Sequence, residues 1–218
     1  MKGKRIAHTA VPRISAPMGS RVAKVLKTPS LWFMGITSIW VLVALYFQSG
    51  LGHSALAAGS VGIPAALLSS ISATLAGRSV SVHGRKVVVL GMLVTISGLI
   101  ATIALIWATE QWGASEWWMV LSLSFVGGGQ GSVISPNQTL TLAHVPQAYA
   151  GSSGAVLQTG QRIGTAVGLA VITAIVFATL HGTSADWPLS IIAGFGVILA
   201  MCLASLGFAI ADQRSSQA

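Results

Sequence analysis

A glutamine inside an apolar run is the first side chain of this sequence that could do chemistry. Gln130 lies near the middle of the run 117–136, with Ser132 and Ser135 beside it. A buried amide without a hydrogen-bond partner costs roughly 2–7 kcal/mol, so it faces the interior of a helix bundle or a wet cavity. We therefore expect Gln130 either to contact a substrate or to bond a neighbouring helix.

Four further uncharged polar side chains lie near the ends of apolar runs and could line the same cavity. Tyr46 and Gln48 end the first run, and Gln158 and Gln161 lie on the first turns of the fifth predicted helix. Arg162 follows them near the predicted membrane surface. There a long cation can reach lipid phosphate, pair with another residue, or guard the mouth of a cavity.

Patterns for catalysis, metals and nucleotides are missing from the sequence. It has a single cysteine, Cys202, no His-x-x-x-His pair, and no serine or cysteine near a histidine and an acid. The glycine run 127–131 lies inside an apolar run rather than after a strand, which excludes a dinucleotide loop. We therefore expect no enzyme activity, no cofactor and no metal site.

Ionisable side chains stay outside the middle of every apolar run. They fall at edges or in connections, as do Glu110, Glu116, Asp186, His53, His144 and His181. A proton-driven transporter usually needs such a group within the membrane. We expect these six residues to be solvated loop residues rather than proton carriers.

The composition places the polar side chains in a membrane. The 218 residues are 53% hydrophobic and 7% charged, with a mean hydropathy of +0.78, whereas soluble domains have roughly 25% charged residues. A bilayer core needs about 20 apolar residues per helix. The sequence predicts an all-α membrane protein whose transmembrane domain, 31–211, has spans at 31–48, 55–76, 87–107, 117–136, 155–180 and 188–211.

Basic residues fall on one side of these spans. They precede the first span, occupy the link between the second and third, open the fifth and follow the sixth, whereas the three connections on the other side contain none. The positive-inside rule then places both termini in the cytoplasm of a multi-pass plasma-membrane protein. The net charge of +8 is thus a signal of topology, and we expect no nucleic-acid partner.

Glycine and proline mark where the predicted helices could bend. Gly127, Gly128, Gly129 and Gly131 fall near mid-bilayer in the fourth span, where glycine loosens a helix. Pro64 lies about ten residues into the second span, where it removes a backbone hydrogen bond. It either kinks the helix for gating or is simply tolerated, as proline often is in membranes.

A second group of glycines predicts close helix packing. Gly160, Gly164 and Gly168 recur every fourth residue, so they form one smooth stripe along the fifth helix. Another helix backbone can approach such a stripe closely.

Two terminal segments flank the transmembrane domain. Residues 1–30 are a basic cytoplasmic lead-in without the pattern of a secretory signal. Within it, 19–27 form either an amphipathic turn on anionic lipid or part of a disordered tail. Residues 212–218 are a cytoplasmic tail.

Several motifs together resemble one family of transporters. In chain order they are Tyr46-Phe47-Gln48, Gly52 and Ser54, Ala58-Gly59, Pro64, Gly77-Arg78, His83-Gly84-Arg85-Lys86, the glycine-rich fourth span, Gly151-Ser152-Ser153-Gly154, and Gln161-Arg162-Ile163-Gly164 with Gly168. Their order and spacing resemble the last six helices of the fourteen-spanner drug/proton antiporters of the major facilitator superfamily. The resemblance covers about residues 28–211.

The resemblance implies a fold and a set of roles. Six helices would form two inverted three-helix repeats, which is half of a major facilitator fold. The glycine stripe of the fifth helix would pack against the other half. A cytoplasmic loop motif would consist of Gly77, Arg78, Gly84, Arg85 and Lys86. In this loop Ser81 stands where an aspartate is usual and Val82 where an arginine is usual, which weakens any charge relay.

The function implied by the resemblance is efflux of amphipathic drugs or other small molecules by alternating access. Proton coupling would come from a partner, either a separate N-terminal half or a second copy of this chain, because the family's coupling carboxylates lie upstream of the matching segment. The alternative is a truncated remnant or a membrane interaction module that does not transport.

Overall fold

Six helices make up the part of the chain that the structure describes. A computed structural model describes residues 32–142 and 150–215. In chain order its helices are α1 (Trp32–Gly50), α2 (Ala55–Ser60 and Gly62–His83), α3 (Arg85–Trp112), α4 (Met119–Leu142), α5 (Ala150–Gly182) and α6 (Trp187–Ser215). The predicted lead-in 1–30 lies outside the described residues. The predicted tail begins within the last turn of α6, and its end, 216–218, also lies outside them.

Five of these helices are long and apolar enough to cross a membrane, and α4 is not among them. Its glycines, serines and Gln130 lower its hydropathy. Because α4 lies between α2 and α3, these polar groups face other helices more than lipid. The chain is therefore an all-α membrane protein in which α4, a helix with many small and polar residues, is largely enclosed by its neighbours.

Two helices differ from their predicted ends for physical reasons. The sequence places a polar connection after Pro136, but α4 continues through this proline to Leu142. A proline removes one backbone hydrogen bond, which neighbouring turns can tolerate. Helix α3 runs beyond its apolar core to Trp112 and ends at Gly113, whose φ of 65° is the left-handed conformation that glycine adopts easily.

Pro64 interrupts α2 one turn before its own position. The helix is broken at Val61, between the pieces Ala55–Ser60 and Gly62–His83. A proline ring clashes with the carbonyl four residues earlier, which here belongs to Ser60. Val61 itself keeps helical backbone angles, with φ −58° and ψ −30°, so both interpretations of Pro64, a kink for gating and a tolerated residue, stay open.

The six helices form two groups of three, α1–α3 and α4–α6, and the first helix of each group packs against the other group. The first helix of the second triplet, α4, packs along α2 and α3, and the first helix of the first triplet, α1, packs against α5 and α6. The third helices, α3 and α6, also contact each other. Each triplet therefore completes its packing with the leading helix of the other, as two related repeats do.

The glycines of α4 allow its close contacts with α2 and α3. A Cβ atom added at Gly127 would collide with the backbone of Ala65, and one at Gly131 with the backbone of Ser69. One added at Gly129 would collide with Thr95 of α3. Gly127, Gly129 and Gly131 therefore lie where helix backbones touch, and the prediction that they loosen the fourth helix stays untested.

Helix α3 supplies the matching glycines for this contact. A Cβ at Gly91 would lie 2.9 Å from the carbonyl oxygen of Gly129, and one at Gly98 would lie 2.9 Å from the carbonyl oxygen of Ser122. Nearby, the hydroxyls of Thr102 and Ser122 are 2.8 Å apart and hydrogen-bonded. Small residues and hydroxyls thus hold α3 to α4, as is usual in membranes.

The glycine stripe on α5 meets α1 of the same chain at Gly168. A Cβ at Gly168 would collide with the backbone of Met34 in α1. Gly164 is buried, whereas Gly160 is half-buried with no described atom near its missing side chain. The stripe is thus in contact with α1 at Gly168, and its packing against another half stays a prediction.

The two ends of the bundle differ in chemistry. His83, Lys86 and Arg162 lie toward one end, which we name the basic end. The opposite end, which we name the tryptophan end, has the side chains of Trp107, Trp112, Trp117, Trp118 and Trp187. Tryptophan is enriched where a protein crosses the surface of a membrane.

Candidate functional site

One face of α1 is the only long stretch of that helix that its neighbours leave partly open. Phe33, Thr37, Trp40 and Ala44 are half-buried and lie three or four residues apart, and Gln48 follows them as an exposed residue. The opposite face carries fully buried residues of the core, including Ile36, Ile39 and Leu42. Since helical residues at these spacings share a face, the open residues form a stripe from the basic end toward the tryptophan end. We name it the α1 stripe.

A first cavity, which we name the glutamine cavity, lies between α1, α2 and α4, along the part of the α1 stripe nearer the tryptophan end. Its volume is about 480 Å³, and its polar side chains are Gln48, Ser69 and Gln130. Trp40 and several alanines supply the apolar wall. A cavity of this size, mostly apolar with a few polar groups, suits a small amphipathic molecule. Two glutamines from separate helices, Gln48 of α1 and Gln130 of α4, therefore line one cavity.

A second cavity, which we name the arginine cavity, lies between α1 and α5, along the part of the α1 stripe nearer the basic end. Its volume is about 350 Å³, and Gln158, Gln161 and Arg162 line it together with Phe33, Thr37, Thr165 and Ala166. The hydroxyls of Thr37 and Thr165 both donate to the carbonyl oxygen of Phe33, at 3.3 and 3.4 Å. The second of these bonds ties α5 to α1 and fixes the cavity wall.

Tyr46 is the one predicted cavity residue that lines neither cavity. It is fully buried in the core, although Gln48, two residues later, is exposed. Successive positions two apart on a helix point to nearly opposite faces, so the two side chains cannot share a cavity. The structure thus places Tyr46 in the core, apart from the cavity that Gln48 lines, and its contact with a substrate stays an untested prediction.

The end of α1 has a backbone feature that separates these two side chains. Tyr46–Gly50 is a π-helical turn, which is rare and often occurs at functional sites. A Cβ at Gly50 would lie 3.1 Å from the Tyr46 ring and 3.3 Å from Cβ of Trp187. The turn therefore packs tightly against α6 while Gln48 stays open.

The loop motif at the basic end borders a third cavity rather than either of these two. This groove of about 380 Å³ lies between α2, α3 and α4 and includes Ser79, His83, Lys86 and Ser132. Gly84, with a φ of 54°, makes the turn between α2 and α3. Ser132 and Gln130 lie on different sides of the contact between α2 and α4, so the groove is separate from the glutamine cavity.

At the tryptophan end, two residues expected to be solvated loop residues form a pair. Nε2 of His53 and Oε1 of Glu116 are 3.0 Å apart, and about a quarter to a third of each side chain is exposed. The His53 ring also packs against those of Phe47 and Trp117, with centroid distances of 5.7 and 5.5 Å, and these two rings contact each other. Their separation by 63 residues gave the sequence no signal for this contact.

Hydrogen bonds in this arrangement lower the pKa of the Glu116 carboxyl. A backbone hydrogen bond at Glu116 and the bond from His53 lower its pKa below the ordinary value of 4.5. The carboxylate therefore stays charged over most of the physiological pH range. The pair links the turn after α1 to the turn before α4.

Sequence reasoning missed four residues that the cavities require. Trp40 and Ser69 line the glutamine cavity, and Thr37 and Thr165 line the arginine cavity. The spacing of the stripe was readable in principle. In a membrane helix, however, both the lipid-facing and the core-facing sides are apolar, so no contrast of polarity reveals which face is open.

Comparison with known families gives one match that covers most of the chain. The model of the Major Facilitator Superfamily matches residues 7–169. This range includes the glutamine cavity and the residues of the arginine cavity.

A curated protein aligns over much of the same region. The chain is 30% identical over 180 residues to a "Probable actinorhodin transporter" of Streptomyces coelicolor. The aligned part is 83% of this chain but 31% of that relative. The chain therefore spans about a third of the length of the relative it matches.

Proposed function

Because the chain belongs to the Major Facilitator Superfamily, whose members are transporters rather than enzymes, we propose that it forms one half of an exporter of small amphipathic molecules. The proposal is that the chain supplies one wall of the substrate path. Alternating access would then move the two halves relative to each other.

The observation that carries the proposal is the α1 stripe. It joins the arginine cavity to the glutamine cavity along one helix, so polar groups are available from the basic end to Gln48. A substrate moving along this path would meet Gln161 first and Gln130 later.

The lining of the glutamine cavity supports an amphipathic substrate. Trp40 offers a flat apolar surface, and the amides of Gln48 and Gln130 can each donate and accept hydrogen bonds. The name of the Streptomyces relative, a probable transporter of one compound, agrees with a small-molecule substrate. Efflux rather than uptake is our proposal by analogy with drug exporters.

The proposal includes a partner and an orientation. The least buried spans are Ala55–Val80 and Gly154–Gly182, with 17% and 22% of their apolar windows buried, and their open faces suit a second half. That half is either an N-terminal half or another copy of this chain, and it would supply proton coupling. The basic end faces the cytoplasm of the plasma membrane under the positive-inside rule.

The test is accumulation of fluorescent amphipathic dyes in bacteria that lack their own drug exporters. The chain is expressed alone and together with the proteins encoded on either side of its gene. We expect lower dye accumulation in at least one combination. We also expect Gln130→Leu to restore high accumulation, because the cavity loses an amide from its wall.

Ser132→Ala is the matched control for this substitution. Ser132 lies two residues from Gln130 on α4 but borders the separate groove at the basic end. Export that survives the loss of Gln130 removes this residue from the path. No change in accumulation in any combination favours the alternative, a membrane module that does not transport.

A further inference from the structure

The arginine cavity contains a buried hydrogen-bond donor that no group of the described residues satisfies. Nε2 of Gln161 is buried without a partner, and the residue is only 6% exposed. An unpaired buried amide of this kind costs free energy, and its presence beside a cavity indicates a missing acceptor. The amide therefore marks a place where a ligand oxygen fits.

Arg162 adds a positive charge to the same cavity. Among the described residues it makes no ion pair, and the carboxylates whose side chains are described, Glu110, Glu116 and Asp186, lie toward the tryptophan end. A guanidinium group has only donors and is always charged. A cavity with an unpaired cation at a membrane surface favours an anion over a neutral or cationic group.

The two threonines of the cavity do not compete for that role. The hydroxyls of Thr37 and Thr165 already donate to the carbonyl of Phe33. The remaining side-chain donors are those of Gln158, which is exposed, and of Gln161 and Arg162, which are next to each other in sequence. Phe33 offers an aromatic surface for the body of a ligand beside this donor pair.

We propose that the arginine cavity binds the carboxylate of an anionic amphipathic substrate, with Arg162 and Nε2 of Gln161 as its donors. Charge-assisted hydrogen bonds of this kind are the strong ones in proteins. The inference rests on the proposed transport function and adds the charge of the substrate to it. At the basic end, the proposed path would thus bind acids rather than cations.

A matched pair of ligands tests the charge directly. Dansylaminoundecanoic acid and its methyl ester differ only in the carboxylate, and their fluorescence reports binding to the purified chain in phosphatidylcholine nanodiscs. We expect the acid to bind at least about tenfold more tightly than the ester, since hydrogen bonds to charged groups are the more stabilising. Equal binding of the two ligands overturns the proposal.

Variants locate the effect within the cavity. Arg162→Gln removes the charge and is expected to abolish the preference for the acid, whereas Arg162→Lys keeps the charge and is expected to retain part of it. Gln161→Leu is expected to weaken binding of the acid and to leave binding of the ester unchanged. The control is Lys86→Gln, which removes a cation from the separate groove at the basic end and is expected to change neither.

Lipid is the other source of the same anionic chemistry. Repeating the titration in nanodiscs with phosphatidylglycerol, whose headgroup has a net negative charge, distinguishes the two, because a site for an anionic lipid is then occupied and the preference for the acid disappears. That result overturns the assignment to substrate, and a preserved preference supports it. Binding is measured without transport, so a chain that binds the acid but exports nothing refutes the proposed function alone.

Discussion

Substitution of two adjacent glycines tests how α4 is held in the bundle. A Cβ at Gly127 would collide with the backbone of Ala65, which cannot move without separating α4 from α2. A Cβ at Gly128 would meet only Cβ of Leu68, at 4.0 Å, which is ordinary contact. The two positions share the helix, the depth and the substitution, and they differ only in what faces them.

The two substitutions are expected to differ in their effect on Tm. Overpacking costs about 1–3 kcal/mol, so Gly127→Ala should lower Tm by roughly 2–12 °C, at about 2–4 °C per kcal/mol for a chain of this length. Gly128→Ala adds no clash and replaces a poor helix former, so it should leave Tm unchanged or raise it slightly. The assay is thermal unfolding of the purified chain in mild detergent, followed by circular dichroism at a helix wavelength.

The comparison has a clear contrary outcome. Equal Tm values for Gly127→Ala and Gly128→Ala would mean that α4 does not touch α2 through this face. The separation of the glutamine cavity from the groove at the basic end would then lose its support, since both depend on that contact.

Three further predictions concern other contacts. Gly168→Ala should lower Tm in the same assay and Gly160→Ala should not, because only the former meets the backbone of α1; equal effects contradict this packing. Glu116→Gln should destabilise at neutral pH by no more than about 1 kcal/mol, as is usual for partly exposed pairs. The Glu116 carboxyl has a lowered pKa, so its contribution to stability is present above pH 4.5 and is lost as the pH falls through the folded-state pKa. The Tm values of the wild type and of Glu116→Gln should therefore converge in acid. A difference in Tm that stays constant with pH refutes the pairing with His53. Cys202 is buried and should react with a maleimide only on unfolding, and rapid labelling of the folded chain contradicts its position in the core.

Much of the helical fold could be predicted from the sequence. A helix in lipid must be apolar over its whole length, so its span is visible in the order of residue types. Contacts between spans are less visible, because lipid-facing and protein-facing sides are similar in polarity. The glycines of α4 illustrate this limit, since their spacing does not say which of them touches α2, which touches α3 and which is open.

The candidate site could be predicted only in part, for a related reason. Gln130 stood out because an amide at mid-bilayer needs a partner, and it does line a cavity. Its meeting with Gln48 depends on the relation of two distant helices. The sequence motif sets Tyr46 two residues from Gln48, but positions two apart on a helix point to nearly opposite faces, so Tyr46 lies in the core while Gln48 is open. The pair of His53 and Glu116 had no sequence signal at all.

Chemical labelling along α1 tests the central claim, that one face of this helix lines a path for a polar ligand. Cysteines are introduced singly at Thr37 and Ala44 on the stripe, and at Ile39 and Leu42 on the buried face, in a chain whose Cys202 is replaced by alanine. A membrane-permeant, water-requiring thiol reagent is then applied to intact cells. The account predicts rapid labelling at Thr37 and Ala44, slow labelling at the other two positions, and protection of Ala44 by a transported compound. Labelling of Thr37 and Ala44 no faster than Ile39 would contradict it.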